Sequence, residues 1–214
     1  MENNRVVSLS FFFHENTPLY GGVEGKIRFE RTNSITNGQT SNNLHVSFPN
    51  HAGTHIDFPY HFDNQGKQSH QYEPSFWVFN KVGFISCKIR DIDKAIETLS
   101  SDIEILILKT GFGAKRSEPE YWSSQPVIPS RLAELFKARF PALRVFGFDL
   151  ISLTSKLDRD EGKAAHLAFL IDNDILVIED MNLQAVKTTP SSVIVSPFQI
   201  YGADGAPCNV IAFY

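Results

Sequence analysis

The stretch His51-Ala-Gly53-Thr54-His55-Ile56-Asp57-Phe58-Pro59-Tyr60-His61 decides how this chain is read. Three of the seven histidines and a carboxylate fall within these residues. His51, His55, Asp57 and His61 all carry odd numbers. Side chains of an extended strand alternate between faces with a period of two, so an extended backbone points all four one way. A helix would also bring His51 and His55 together at i,i+4. Gly53, Thr54, Ile56 and above all Pro59 oppose a continuous helix. The expectation is a strand or extended loop that carries a metal site.

Imidazole and carboxylate suit zinc, iron or manganese. Asp57 offers two oxygens and is able to bridge two ions. His61, beyond the proline, is either a further ligand or a general base beside the ion. The competing reading, a scatter of surface histidines, is disfavoured by their density and common parity. His14, His45 and His70 stand alone and are expected in ordinary surface or core roles.

Outside this stretch the chain reads as an ordinary globular protein. Of its 214 residues 42% are hydrophobic and 21% charged, enough for a substantial core. One domain over residues 1–214 is expected, with no internal repeat or linker. A net charge of −4 and the lack of a Lys/Arg run give no electrostatic case for nucleic acid or an anionic membrane surface. No apolar window approaches a transmembrane length and Phe11-Phe12-Phe13 is too short for a signal core, so a cytoplasmic protein is expected. Cys87 and Cys208 match no zinc or redox spacing and read as buried free thiols.

Residues 6–13 are expected as a first strand, 26–29 as a short exposed one, and 33–43 as a polar loop or hairpin tip. Apolar strand candidates follow at 84–89, 103–108, 143–149 and 175–179. Helices are expected over 91–99 and from Ser130, read as an N-cap, through Phe140, with Leu132, Leu135 and Phe136 on one face. Strands alternating with helices in the middle third indicate an α/β element. The glycine- and β-rich outer thirds suggest extra sheet beside it. Glu179 closes the apolar run Ile175-Leu-Val-Ile178. A buried carboxylate there needs a partner or a metal, unless the strand surfaces at that point; the sequence leaves both open. His166, in the apolar helical run 164–170, reads by itself as a satisfied core histidine.

The motif His51-x-Gly53-Thr54-His55-x-Asp57-x-Pro59-x-His61-Phe62 resembles the signature of the cyclase family of metal-dependent hydrolases, which includes bacterial kynurenine formamidases and isatin hydrolases. The resemblance extends over nearly the whole chain. Leu9-Ser10 with Thr17-Pro18-Leu-Tyr-Gly21 is similar to the family's opening. Leu106-Ile-Leu-Lys-Thr-Gly-Phe112 resembles its Thr-Gly-aromatic strand end, and Gly147-Phe-Asp149 with Ser152 its Gly-x-Asp-x-x-Ser segment. Ile178-Glu179-Asp-Met-Asn-Leu183 and Asp204-Gly-Ala-Pro207 match two closing elements. The resemblance implies a swivelling β/β/α fold of mixed sheet with few flanking helices, and a homodimer. It implies that His51, His55 and Asp57 bind a divalent metal, zinc or manganese, as one or two ions. It further implies that His166 and Glu179 complete a second metal position and that His61 is the catalytic acid/base.

Three positions depart from the family pattern. Thr154 stands where a second acidic residue is common, Lys109 precedes Thr-Gly in place of arginine, and Ser8 replaces the opening aspartate. None of these is expected to touch the ligands. They bear on the substrate, which pocket residues select.

The expected activity is hydrolysis of an amide, formamide or lactam of a small substrate through metal-activated water. Phe58, Phe62, Phe76 and Trp77 are candidates for stacking on an aryl group, with at least half expected in the core. Besides a formamidase, an isatin-hydrolase-like lactam or ester hydrolase fits. From other classes, a non-haem iron oxygenase has the two-histidine, one-carboxylate set in His55, Asp57 and His166. His51 and Glu179 are then surplus, and the first cation after His166 is the distant Lys187. A metal-bearing interaction protein without turnover leaves His61 unexplained.

Overall fold

Four apolar runs become adjacent parallel strands in a computed structural model that describes residues 5–214. With β1 at Val6–Ser8, β2 at Arg28–Asn33, β3 at Asn43–Ser47, β4 at His55–Asp57 and β5 at Val78–Phe79, these four are β6 (Val82–Ser86), β7 (Ile105–Lys109), β8 (Val145–Phe148) and β9 (Leu176–Glu179). They pair in that order. Ile105 to Leu108 and Val145 to Phe148 are buried throughout. A parallel strand covered on both faces reads as a continuous apolar run, which is why these were legible.

The crossovers carry the helices. Between β6 and β7 lies α1 (Ile92–Ala95), and between β7 and β8 lie α2 (Glu120–Ser123) and α3 (Arg131–Arg139). α4 (Arg159–His166) connects β8 to β9 and continues as a wide π-type turn over Leu167–Asp172. α3 drives Leu132, Ala133 and Phe136 into the core, where Phe136 meets Phe146 edge-on at 5.1 Å. Full burial of a side chain such as Leu132 or Phe136 contributes about 1.5–3 kcal/mol.

Most of the strands in the outer thirds join this unit, and only one hairpin forms a sheet apart from it. β10 (Ser192–Pro197) and β11 (Gly205–Phe213) extend the same one, whose order is β5-β10-β11-β4-β9-β8-β7-β6, with β1 also on β11. The result is one large, nearly closed mixed sheet with few helices, parallel on one side and antiparallel on the other. β2 and β3 form a separate hairpin whose tip is the polar stretch 33–43.

Several local expectations shift. Regular pairing of the first strand stops at Ser8. Residues 91–99 form one α-helical turn flanked by 3-10 turns rather than a continuous helix. Ser130 has helical backbone angles and makes no side-chain cap; its N–H instead donates to Glu161 at 2.6 Å. α4 is capped by Asp158, which accepts from Glu161 N–H at 3.0 Å. Cys208 is buried, Cys87 only half-buried, and both are free thiols. No described helix is long and apolar enough to cross a membrane.

β4 is short, but its position is decisive. It is antiparallel to β9 on one side and to β11 on the other, with His55 opposite Glu179 and Asp57 opposite Gly205. The sequence motif is thereby set against two distant segments at the junction of the parallel and antiparallel halves.

Candidate metal centre

Strand alternation aligns only His55 and Asp57, since β4 is limited to His55–Asp57. Two turns bring the remaining pair in. Gly53 has φ +66°, a left-handed conformation natural to glycine, and this bend returns His51 toward the strand. Pro59 then starts a 3-10 turn over Pro59–His61, which places His61 beside His51 with ring centroids 4.2 Å apart.

All six expected residues come together. His55, Asp57, His166 and Glu179 form the buried floor, their side chains 1–4% exposed. His51 and His61, at 24% and 31%, form the mouth. His55 Nε2 lies 3.4 Å from Asp57 Oδ1 and 3.3 Å from Glu179 Oε2. His166 Nε2 lies 3.6 Å from both Asp57 Oδ2 and Glu179 Oε1. Asp57 turns Oδ1 also toward His51 Nδ1, at 2.8 Å. Two donor sets therefore share Asp57: His51, His55 and Asp57, and Asp57, His166 and Glu179.

The tautomers of the two floor imidazoles follow from their surroundings. His55 Nδ1 is 2.8 Å from the Gly53 carbonyl, and His166 Nδ1 is 2.8 Å from the Gly162 carbonyl. A carbonyl only accepts, so each Nδ1 carries the proton. Nε2 of each neutral ring then aims a lone pair at two carboxylates. His55 Nε2 is buried and has no hydrogen-bond partner, an arrangement that costs free energy unless a cation or proton intervenes. Tetrahedral nitrogen and oxygen ligands at roughly 2.0–2.1 Å from zinc stand about 3.3 Å apart, which matches these separations. The residues fit a divalent cation.

Without metal, protons must balance the buried carboxylates. Burial opposes charge on His166, but hydrogen bonds to Asp57 and Glu179 outweigh it and lift its pKa to about 10. For His51, burial is likewise outweighed by hydrogen bonds to Asp204 and Asp57, again to about 10. Despite burial, hydrogen bonds to His166 and His51 hold Asp57 well below the usual carboxylate range, and those to His166 and His55 hold Glu179 below it.

The surroundings fix the ligands in place. Glu179 accepts from Ser152 Oγ at 3.2 Å and from Leu153 N–H, and Gln125 fastens that loop through its Nε2–H bonds to the Ser152 and Thr154 carbonyls. The next residue, Asp180, has φ +52°. Its carboxylate is locked by Arg116 Nε at 2.8 Å, Arg116 Nη2 at 2.7 Å and Tyr121 Oη at 2.6 Å. Thr54 Oγ–H donates to the Asp180 carbonyl at 2.6 Å, tying the motif to β9. Asp149 accepts from Thr110 N–H and Oγ–H at 2.7 Å each, which explains why the Gly-x-Asp and Thr-Gly segments occur together.

One sequence expectation needs correction, and one residue joins the site that the sequence does not single out. Thr154 does touch the ligand shell, with Oγ1 3.3 Å from His166 Nδ1. Asp204, in sequence only part of a closing motif, stands at the mouth with Oδ2 3.0 Å from His51 Nε2 and 2.8 Å from His61 Nδ1. His51, His61 and Asp204 form a third close group. Among the aromatics, Phe58 is core, Phe76 and Trp77 pack against the core, and Phe62 stacks on His166 at 4.5 Å. His70 stacks on Tyr201 away from the cluster.

Residues 7–154 match the protein family described as "Putative cyclase", and the chain belongs to the cyclase family. It is similar to a kynurenine formamidase of Bacillus cereus, 30% identical over 167 residues covering 75% of each chain. In fold it is similar to isatin hydrolase A of Labrenzia aggregata, with a TM-score of 0.82 at 16% identity, over 98% of this chain and 93% of the other. A potential metal-dependent hydrolase with cyclase activity aligns over 98% of both chains with a TM-score of 0.75 at 20% identity.

Proposed function

We propose that residues 1–214 form one metal-dependent hydrolase domain that cleaves the carbon–nitrogen bond of a small aryl formamide. The observation that carries this reading is the pair of buried imidazoles, His55 and His166, whose Nε2 atoms face the carboxylates of Asp57 and Glu179. The family and the kynurenine formamidase relative support the choice of bond.

His51, His55 and Asp57 hold one divalent ion, zinc or manganese, and Asp57, His166 and Glu179 a second. Such an ion supplies Lewis acidity, lowering the pKa of water and polarising a carbonyl. The chain's own residues do the rest. Phe62 stacks on the His166 ring and sets an apolar face beside the buried floor. His61 stands at the exposed mouth, where a substrate arrives. Its free nitrogen accepts a proton from the attacking water and returns it to the departing nitrogen, so the formamide yields formate and an amine. His51, stacked beside His61, restricts that ring to one side of the mouth.

We also propose a homodimer, supported by an aromatic groove of about 830 Å³ lined by Phe11, Phe12, Phe13, Phe29, Phe48 and Phe198. Phe12 is 95% exposed there, a large apolar side chain left for a partner surface. The same reading takes the protein as cytoplasmic.

The test is a turnover screen of the zinc- and manganese-loaded protein against N-formyl aryl amines, aryl lactams and simple aryl esters. Formamide hydrolysis that chelation abolishes and metal restores is expected. Preference for lactam or ester would move the reading to the isatin-hydrolase type. Oxygen consumption with iron and no hydrolysis would overturn it.

A further inference from the structure

The family reading assigns roles to six residues and leaves Asp204 idle, although it is the node of the site mouth. One of its oxygens, Oδ2, receives both His51 Nε2 at 3.0 Å and His61 Nδ1 at 2.8 Å. The other, Oδ1, accepts from Asn50 Nδ2 at 2.6 Å. Asn50 also donates to the Gly205 carbonyl at 3.1 Å, and the Asp204 carbonyl accepts from Phe58 N–H at 2.9 Å. Backbone and side chain of Asp204 are thus held from both ends of the histidine motif. Gly205 belongs to the same device, because a Cβ there would come within 2.3 Å of the His51 ring.

An ionised carboxylate has acceptors only, so both imidazole nitrogens that face it must donate. Each ring then has its tautomer set by one carboxylate. His51 keeps its proton on Nε2 against Asp204; its Nδ1, 2.8 Å from Asp57, donates there when no cation is bound and would offer its lone pair to one held beside Asp57. His61 carries its proton on Nδ1, which leaves Nε2 as the nitrogen free to exchange a proton at the open side. A half-exposed imidazole without such a partner samples both tautomers and several rotamers, and only a fraction of them serves.

We propose that Asp204 is the positioning residue of this site, orienting His51 as a ligand and His61 as an acid/base through a single shared carboxylate. The idea deepens the hydrolase reading and rests on it for the consequence in turnover; the His61 tautomer is a consequence of the geometry alone. Asp204 touches no reacting atom and acts only through the two rings.

The test compares wild type with Asp204→Ala, Asp204→Asn and the milder Asn50→Ala, all zinc-loaded. Long-range proton–nitrogen NMR on histidine-labelled protein reads the tautomer of His61. Wild type is expected in the Nδ1–H form, Asp204→Ala in a mixture of both, and Asn50→Ala between them. With an N-formyl aryl amine at saturating zinc, Asp204→Ala is expected to lower kcat by about 10–100-fold, the range found when partners behind metal ligands are removed, with KM within about threefold. Zinc affinity from chelator competition should fall as well, with stoichiometry at saturation unchanged. An unchanged His61 tautomer or an unchanged kcat in Asp204→Ala would overturn the proposal. So would loss of a full zinc equivalent, which would make Asp204 a ligand itself. If wild type hydrolyses nothing in the screen, the functional reading fails while the NMR comparison still decides the role of Asp204.

Discussion

Gly205→Ala separates the fold from the site. Gly205 lies in β11 opposite Asp57, and its backbone is not in the left-handed region. Alanine therefore fits the strand, and on backbone grounds alone stabilises by about 0.4–1 kcal/mol. The added Cβ would lie 2.3 Å from His51 Cε1 and 2.8 Å from both ring nitrogens. The ring must swing, giving up at least one of its bonds to Asp57 and Asp204. A hydrogen bond to a charged group contributes about 1.5–3 kcal/mol. The net loss in the metal-free protein is then about 1–2 kcal/mol, a fall in Tm of about 2–8 °C for a chain of this size. In zinc binding, the misplaced ring should lower affinity by about 10–100-fold, at about 1.4 kcal/mol per factor of ten. Chelator competition and thermal unfolding measure the two effects. A variant that binds zinc within threefold of wild type would refute the claim that glycine is needed for the His51 ring. A much larger fall in Tm would mean that the strand, not the ring, gave way.

Other outcomes follow from the same geometry. His61→Ala should retain full zinc stoichiometry while kcat falls by about 10²–10⁴-fold, the usual contribution of a general acid/base; undiminished turnover would remove His61 from the mechanism. Asp57→Ala removes the carboxylate shared by both donor sets, so elemental analysis should show most of the metal gone. Arg116→Ala strands the buried Asp180 carboxylate and should cost about 3–5 kcal/mol of stability in denaturant unfolding; a neutral result would mean that Tyr121 and water suffice. For pH, His51 and His166 are raised to about 10 in the folded, metal-free protein, against about 6.5 unfolded. Their contribution is complete below about 6.5 and is lost as pH rises toward 10, whereas that of the depressed Asp57, Glu179 and Asp204 is lost as pH falls below about 4. Metal-free Tm should thus decline above pH 6.5, while zinc, which needs neutral imidazoles, should raise Tm by more at each higher pH. A zinc increment that is flat between pH 6 and 8.5 would count against imidazole ligands.

The parts of this molecule that sequence could reveal are those whose cause is local. Ile105 to Leu108 and Val145 to Phe148 are apolar because both faces are covered, and that leaves a run visible without any partner. The histidine motif was visible by density, though its geometry was not: Gly53 and the turn at Pro59, rather than one strand face, collect His51 and His61. His166 became a candidate through family resemblance, because a lone histidine in an apolar helix carries no mark of the carboxylate opposite it, whereas Glu179 already stood out as a carboxylate closing an apolar run, with its role left open. Asp204 escaped for a similar reason. In sequence it is an Asp-Gly pair at a polar turn, and its meaning lies in two rings more than a hundred residues earlier. Thr154 was misjudged as remote because α4 folds back over it, bringing His166 within reach of its hydroxyl.

The setting of β4 between β9 and β11 has a consequence in time. Residues 55–57 emerge early during synthesis, but their partners are residues 177–179 and 205–207. Until both arrive, the motif is a histidine-rich segment with no floor beneath it. Closing such distant pairings is entropically slow, so the complete ligand set exists only after residue 179 has been made and paired. An ion bound there would bridge strands that must part when the protein unfolds, and would therefore act as a latch on its undoing.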